Sequence, residues 1–243
     1  MLLVLLVGLP LACWLWVVAM ARDMYGTMMG PSAWMMRATW DAPYLILLWA
    51  MWAAMMAAMM LPTVTPLVLL AARPVERGAT DPRAATARLS GLVSGYLAVW
   101  LAFSVGATLV QAALARSGLL TIMMEPAGRG VTAALLVTAG LYQFTPLKYA
   151  CLRACRTPLA VLGGGWRPGA SAAFGVGVRH GAYCLGCCWA LMLLLFAGGV
   201  MNLLVILSLT AWVAIEKIAP FGAQSARVGG ALLLLMAAWV LLS

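Results

Sequence analysis

Residues 180–215 read HGAYCLGCCWALMLLLFAGGVMNLLVILSLTAWVAI, 36 positions without an Asp, Glu, Lys or Arg. About 20 helical residues cross the hydrocarbon core of a bilayer, so one straight helix of this length would overshoot it. Gly198, Gly199 and Asn202 lie near the middle and supply a turn, dividing the run into two helices. Other uncharged runs occupy 1–21, 42–72, 89–115, 130–147 and 228–243. The expected fold is all-α, a polytopic transmembrane helical bundle of about seven spans, with 1–243 forming a single membrane-embedded domain. Reading 180–215 as one tilted helix plus an interfacial piece gives six spans instead.

Composition agrees with that class. The chain is 65% hydrophobic and 9% charged, with a mean hydropathy of +1.03, whereas soluble domains sit near half apolar and a quarter charged. The formal charge of +9 comes from basic residues in short loops, and no basic patch is interleaved with aromatics, which excludes nucleic acid as a partner. The partner it implies is the lipid bilayer. The first 21 residues lack the basic start and short apolar core of a secretory signal, so they are read as an uncleaved helix in which Cys13 is packing. Loops 73–88 and 148–179 carry nine Lys and Arg, against four in 22–41 and 116–129. The positive-inside rule then puts the first pair in the cytoplasm. The N-terminus is cytoplasmic on that reading, and seven spans leave the C-terminus outside.

Helix breakers are uneven. Pro62 and Pro66 interrupt the second span and Pro146 the fourth, each removing a backbone donor. Ala173, Gly177 and Gly181 recur every four residues, which allows close helix packing. The loop sequence GGGWRPG lacks the Lys-Ser/Thr of a phosphate-binding loop and is a linker.

Sulfur supplies the chemistry. At 100° per residue His180, Cys184, Cys187 and Cys188 share one helix face, extended by Met192. They fall at the start of the fifth apolar run, and CLRAC, with Cys151 and Cys155, ends the fourth. Five of the six cysteines thus map to one end of two consecutive helices. A cytoplasmic setting keeps thiols reduced and available to a metal. Eleven of the seventeen methionines lie between residues 20 and 60. Met51, Met55 and Met59 form one row at i, i+4, i+8, and Met56 and Met60 a second beside it. Buried Cys and Met are also ordinary core residues, and the pairing of methionine with cysteine, together with the small number of other ligands, argues for ligation. No Asp or Glu lies within these runs, Glu216 and Lys217 standing at a boundary. That disfavours carboxylate-dependent ions, while thiolate and thioether favour Cu(I). Paired carboxylates and a Ser-His-Asp set are missing too, so an enzyme is the weaker reading.

The pieces MWAAMMAAMMLP (51–62), YQFTPLKYACLRACR (142–156), CLGCCWALM (184–192) and GGVMNL (198–203) resemble a bacterial family of predicted metal-binding integral membrane proteins, a domain of unknown function sometimes labelled copper chaperone. The resemblance runs over most of 40–217. It implies Cys184, Cys187 and Cys188 as ligands, with Met55, Met56, Met59 and Met60. It also includes Gln143, Thr145, Pro146 and Lys148, for which it suggests no role. It implies a multi-pass protein of the bacterial inner membrane.

The leading expectation is a membrane protein that binds and transfers or transports a soft metal ion, Cu(I), with a copper-carrying or copper-accepting protein as partner. Met28, Met29, Met35, Met36, Met123 and Met124 would gather the ion outside. Two alternatives stand beside it: a thiol–disulfide redox protein using the C-x-x-C of Cys184 and Cys187, and an assembly or interaction subunit in which cysteine is filler.

Overall fold

The computed structural model describes residues 4–26, 29–30, 40–76, 81–121, 124–157 and 169–243. All named elements are helical. After a π-helical turn at Val4–Gly8 come α1 (Leu9–Met24), α2 (Ala42–Glu76), α3 (Pro82–Arg116), α4 (Arg129–Tyr142) and α5 (Pro146–Arg156). They are followed by α6 (Ala170–Met192), the single turn α7 (Leu194–Gly198), α8 (Leu203–Ile218) and α9 (Gly222–Leu242). Five stretches are long and apolar enough to cross a membrane, and six if the bent pair α4–α5 counts as one.

The boundaries have local causes. Asp81 caps α3 by accepting from the Ala84 amide at 3.2 Å, with Pro82 in the first turn where no amide is needed. Thr145 caps α5 in the same way, accepting from the Lys148 amide at 3.3 Å ahead of Pro146. Pro146 therefore starts a helix instead of kinking one, and α4 and α5 meet at 65°. Pro62 and Pro66, in contrast, lie inside the continuous α2.

The run 180–215 does divide, at Gly199 (φ +89°), after which the Asn202 side chain caps α8. Its first helix begins at Ala170, well before the uncharged run does, so Cys184–Cys188 lie in mid-helix and not at its start. The second, α8, has 16 residues, about 24 Å of helix, and falls short of the length a simple crossing needs.

Two ends of the bundle can be recognised from their contacts. At one, Arg156 of α5 donates to the carbonyls of Glu216, in the last turn of α8, and of Ala219 just beyond it. The starts of α3 and α6 approach each other near the same end, where a Cβ on Gly91 would strike the Ala170 carbonyl. At the other end Tyr25 donates to Glu125 at 3.5 Å, and the Val200 amide to the Met124 carbonyl at 3.4 Å. The core between them is aromatic and thioether-rich, with Trp52, Tyr96, Trp100 and Phe196 fully buried beside Met51, Met55, Met56 and Met59. Trp52 of α2 is fixed to Gln111 of α3 by a 2.6 Å hydrogen bond.

Candidate metal centre

The centre is built where α6 packs on α3, α5 and α2. Cys184, Cys187 and Cys188 all point inward from α6 and are buried, as their i, i+3, i+4 spacing requires. From α5, the buried Cys155 thiol contacts those of Cys184 and Cys187. The thiols of Cys184 and Cys187 also contact Cys188. The two cysteine groups of the sequence thus meet through Cys155. Cys151 is one turn off this face: its sulfur lies 2.6 Å from where a Cβ on Gly186 would stand, so it packs against the back of α6.

One residue that the sequence placed at a boundary stands inside the cluster. The ammonium of Lys217, from the end of α8, donates to Cys184 Sγ at 2.8 Å, with Met60 Sδ at 3.7 Å and Cys188 Sγ at 3.8 Å. Tyr96 Oη lies 2.9 Å from Cys184 Sγ and also donates to the Met60 carbonyl at 3.1 Å, which Thr63 Oγ1 approaches at 2.8 Å. Met60 is therefore held by its backbone as well as by its sulfur. The Cys187 and Cys188 thiols turn back on the Cys184 carbonyl at 3.1 and 2.9 Å, an i−3/i−4 pairing open to any short polar side chain on a helix. Among the described residues, no three Cys, His, Asp or Glu groups are placed so that they could together hold a metal ion.

The remaining candidates are placed around this centre. Met51, Met55, Met56 and Met59 are all buried in α2, but Met51 precedes Met60 by nine residues, roughly 13 Å of helix. They form a column leading away from the thiols and do not join the cluster. Met192 is buried one turn beyond Cys188. His180 is 2% exposed, its ring centroid 6.0 Å from that of Tyr96, and its Nδ1 has no hydrogen-bond partner. It borders a cavity of about 250 Å³ shared with Cys155, Arg156 and Lys217. All six cysteines are free thiols.

Next to the thiols lies a second polar group. Glu216 is 1% exposed and receives Lys148 at 2.7 Å, Gln143 at 3.0 Å and Trp212 at 2.9 Å. The carboxylate expected at a boundary is thus interior, but three donors hold it and its ion pair is with Lys148 and not Lys217. Gln143 and Lys148, which had no role in the sequence, tie α4 and α5 to α8. The signal for Lys217, Tyr96 and Thr63 was weak, since each is a single polar residue whose relevance depends on which helix it meets.

The fold and site define a helical bundle with apolar, membrane-length helices around a buried group of cysteine thiols. The chain belongs to the PpoB2 family, described as copper chaperone, which it matches over residues 49–240. That span runs from α2 into α9 and includes every residue of the cluster. No curated protein and no solved structure matches the chain.

Proposed function

We propose that this protein is a multi-pass carrier of Cu(I) in the bacterial inner membrane, binding the ion among Cys155, Cys184, Cys187 and Cys188 with help from Met60. The ion passes to or from a copper-carrying protein. The observation that supports this most is the gathering of four thiols and a thioether from three helices around one buried ammonium. Thiolate and thioether sulfur select Cu(I) over harder ions. Two cysteine thiolates and one Cu(I) carry a single negative charge, and the ammonium of Lys217 cancels it. The loaded centre is then neutral, which matters in an interior where net charge is expensive.

Loading needs the Cys187 and Cys188 thiols to release the Cys184 carbonyl, lose their protons and turn toward the ion. The methionine column of α2 offers weaker successive sites, which is what passage of an ion requires. Met29 and Met124 belong to the outer group on this reading, whereas Met28, Met35, Met36 and Met123 lie outside the described residues.

Purified full-length protein, loaded anaerobically with Cu(I), should retain about one ion per chain in linear two-sulfur or three-sulfur coordination by X-ray absorption. The variant Cys184→Ser/Cys188→Ser should lose most of it. Equal retention by both, or none by either, sinks the proposal. A redox role forecasts something different, a defined Cys184–Cys187 disulfide after mild oxidation.

A further inference from the structure

The cluster has a cationic approach, an odd surrounding for a site that receives a cation. The 250 Å³ cavity beside the thiols is lined by Arg156, Lys217, His180 and Cys155, with Thr63, Pro66, Leu67 and Ile218. Arg156 also borders an outer groove of about 780 Å³ that includes Arg153 and Tyr149. Arg156 spends its hydrogen bonds on two carbonyls and Lys217 spends its own on sulfur. The one ion pair among the described residues is Lys148–Glu216, so no carboxylate in that set neutralises either cation. His180 Nδ1 adds an unpartnered polar atom on a side chain that is almost fully buried at the same cavity. Room for about eight waters, at some 30 Å³ each, is enough for a small anion or the thiol end of a small carrier.

We infer that this cavity is an anion site, through which copper is exchanged as an anionic Cu(I)–thiolate complex of a small thiol and not as the bare ion. The inference rests on the copper reading above. A bare Cu(I) ion would be repelled by Arg153, Arg156 and Lys217 in turn, whereas a bis-thiolate complex of net negative charge is drawn along them. Cys155 borders the cavity and touches Cys184 and Cys187, so it is the first thiol such a complex meets. Each exchange breaks one copper–sulfur bond to the carrier and forms one to Cys155. The Cys155 proton leaves with the departing carrier thiolate, and copper stays Cu(I) throughout. The same steps run backwards if the protein loads the carrier.

Two measurements test this on the full-length protein in detergent. In the first, Cu(I) is offered either as its glutathione complex, which is anionic, or as its acetonitrile complex, which is cationic. Arg156→Gln should slow uptake from the glutathione complex about tenfold and leave uptake from the acetonitrile complex unchanged or faster. Arg156→Lys should restore most of the rate, and Arg153→Gln, at an exposed position, should give a smaller loss of the same kind. Equal slowing from both sources, or none from either, overturns the inference. In the second, ³⁵Cl line broadening is recorded on metal-free protein. Broadening that Arg156→Gln removes supports the anion site, and its absence in the unaltered protein overturns it. Broadening without copper uptake from either source would instead overturn the copper reading, and with it the exchange step, while leaving the anion site standing.

Discussion

An ammonium buried among sulfurs destabilises a protein unless something answers its charge, and Lys217 has only sulfur and the phenol network near it. A loaded, singly negative bis-thiolate centre supplies that answer. Lys217→Met should therefore weaken Cu(I) binding by about tenfold or more, each factor of ten being about 1.4 kcal/mol. Competition with a coloured Cu(I) chelator measures it, and an unchanged or tighter affinity removes the charge-balancing role. The neighbouring Lys148–Glu216 pair, 2.7 Å apart and with both side chains buried, is a matter of stability. Glu216→Gln leaves the Lys148 charge without its counter-ion and should cost about 3–5 kcal/mol. Lys148→Met combined with Glu216→Gln should cost less than the sum of the single changes, because the double change leaves no unpaired ion behind. Thermal unfolding of the three variants decides it, and simple additivity would show that the two groups do not support each other.

Among the elements, the α3–α6 pair carries the cluster, and it is a parallel pair in close contact. Cβ atoms built on Gly95 and Gly177 would collide with the Phe174 and Leu92 carbonyls respectively, while Gly181 faces Val99. Backbone cannot yield as a flexible side chain can, so Gly177→Val should cost at least the 1–3 kcal/mol or so typical of overpacking and displace Cys184 from Tyr96. A Cβ at Gly175 would meet nothing within 4 Å, and Gly175→Ala should be neutral or slightly stabilising, by up to about 1 kcal/mol. Similar melting temperatures for the two variants would count against close packing as the cause. The small-residue spacing of this helix was legible in the sequence, as were the break near Gly199 and the one-turn spacing that sends three cysteines inward. Other features were hidden for physical reasons. The start of α6 at Ala170 was obscured by its proximity to a loop rich in glycine. Lys217 looked like a boundary because hydropathy registers charge and not tertiary contact. The bend at Thr145 looked like a kink because the capping role of the Thr-Pro pair was overlooked, although both residues were in view. That Cys155 and not Cys151 meets the thiols of α6 depends on how far along α6 the bent α5 is set, since residues four apart share a helix face and differ by about 6 Å of rise.

For the molecule as a whole, the contacts sort the chain into alternating passages between two ends. The ends of α5 and α8 meet at the Arg156 end, near which α3 and α6 begin, and Arg83, Arg88, Arg153 and Arg179 lie on these helices. The opposite end gathers Tyr25, Glu125, Met124 and Val200, and Val240 near the end of α9 shares a cavity with Glu125. On this arrangement α8 must pass between the ends even though its 16 residues are short for a crossing. Its C-terminal turn, with Glu216 and Lys217, is sheltered inside protein, so a thinner hydrophobic stretch suffices there. The positive-inside rule predicts that the Arg156 end faces the cytoplasm. A fluorescent protein that matures only in the cytoplasm should therefore be dark when fused after Ser243, and alkaline phosphatase, which folds only outside, should be active there. Both reporters should reverse when inserted between α5 and α6. A bright C-terminal fusion with an unchanged loop result would mean an even number of crossings. It would then be α8, with 16 residues short for a crossing, that returns to the side it came from, and the thiols would still lie toward the end predicted to be cytoplasmic.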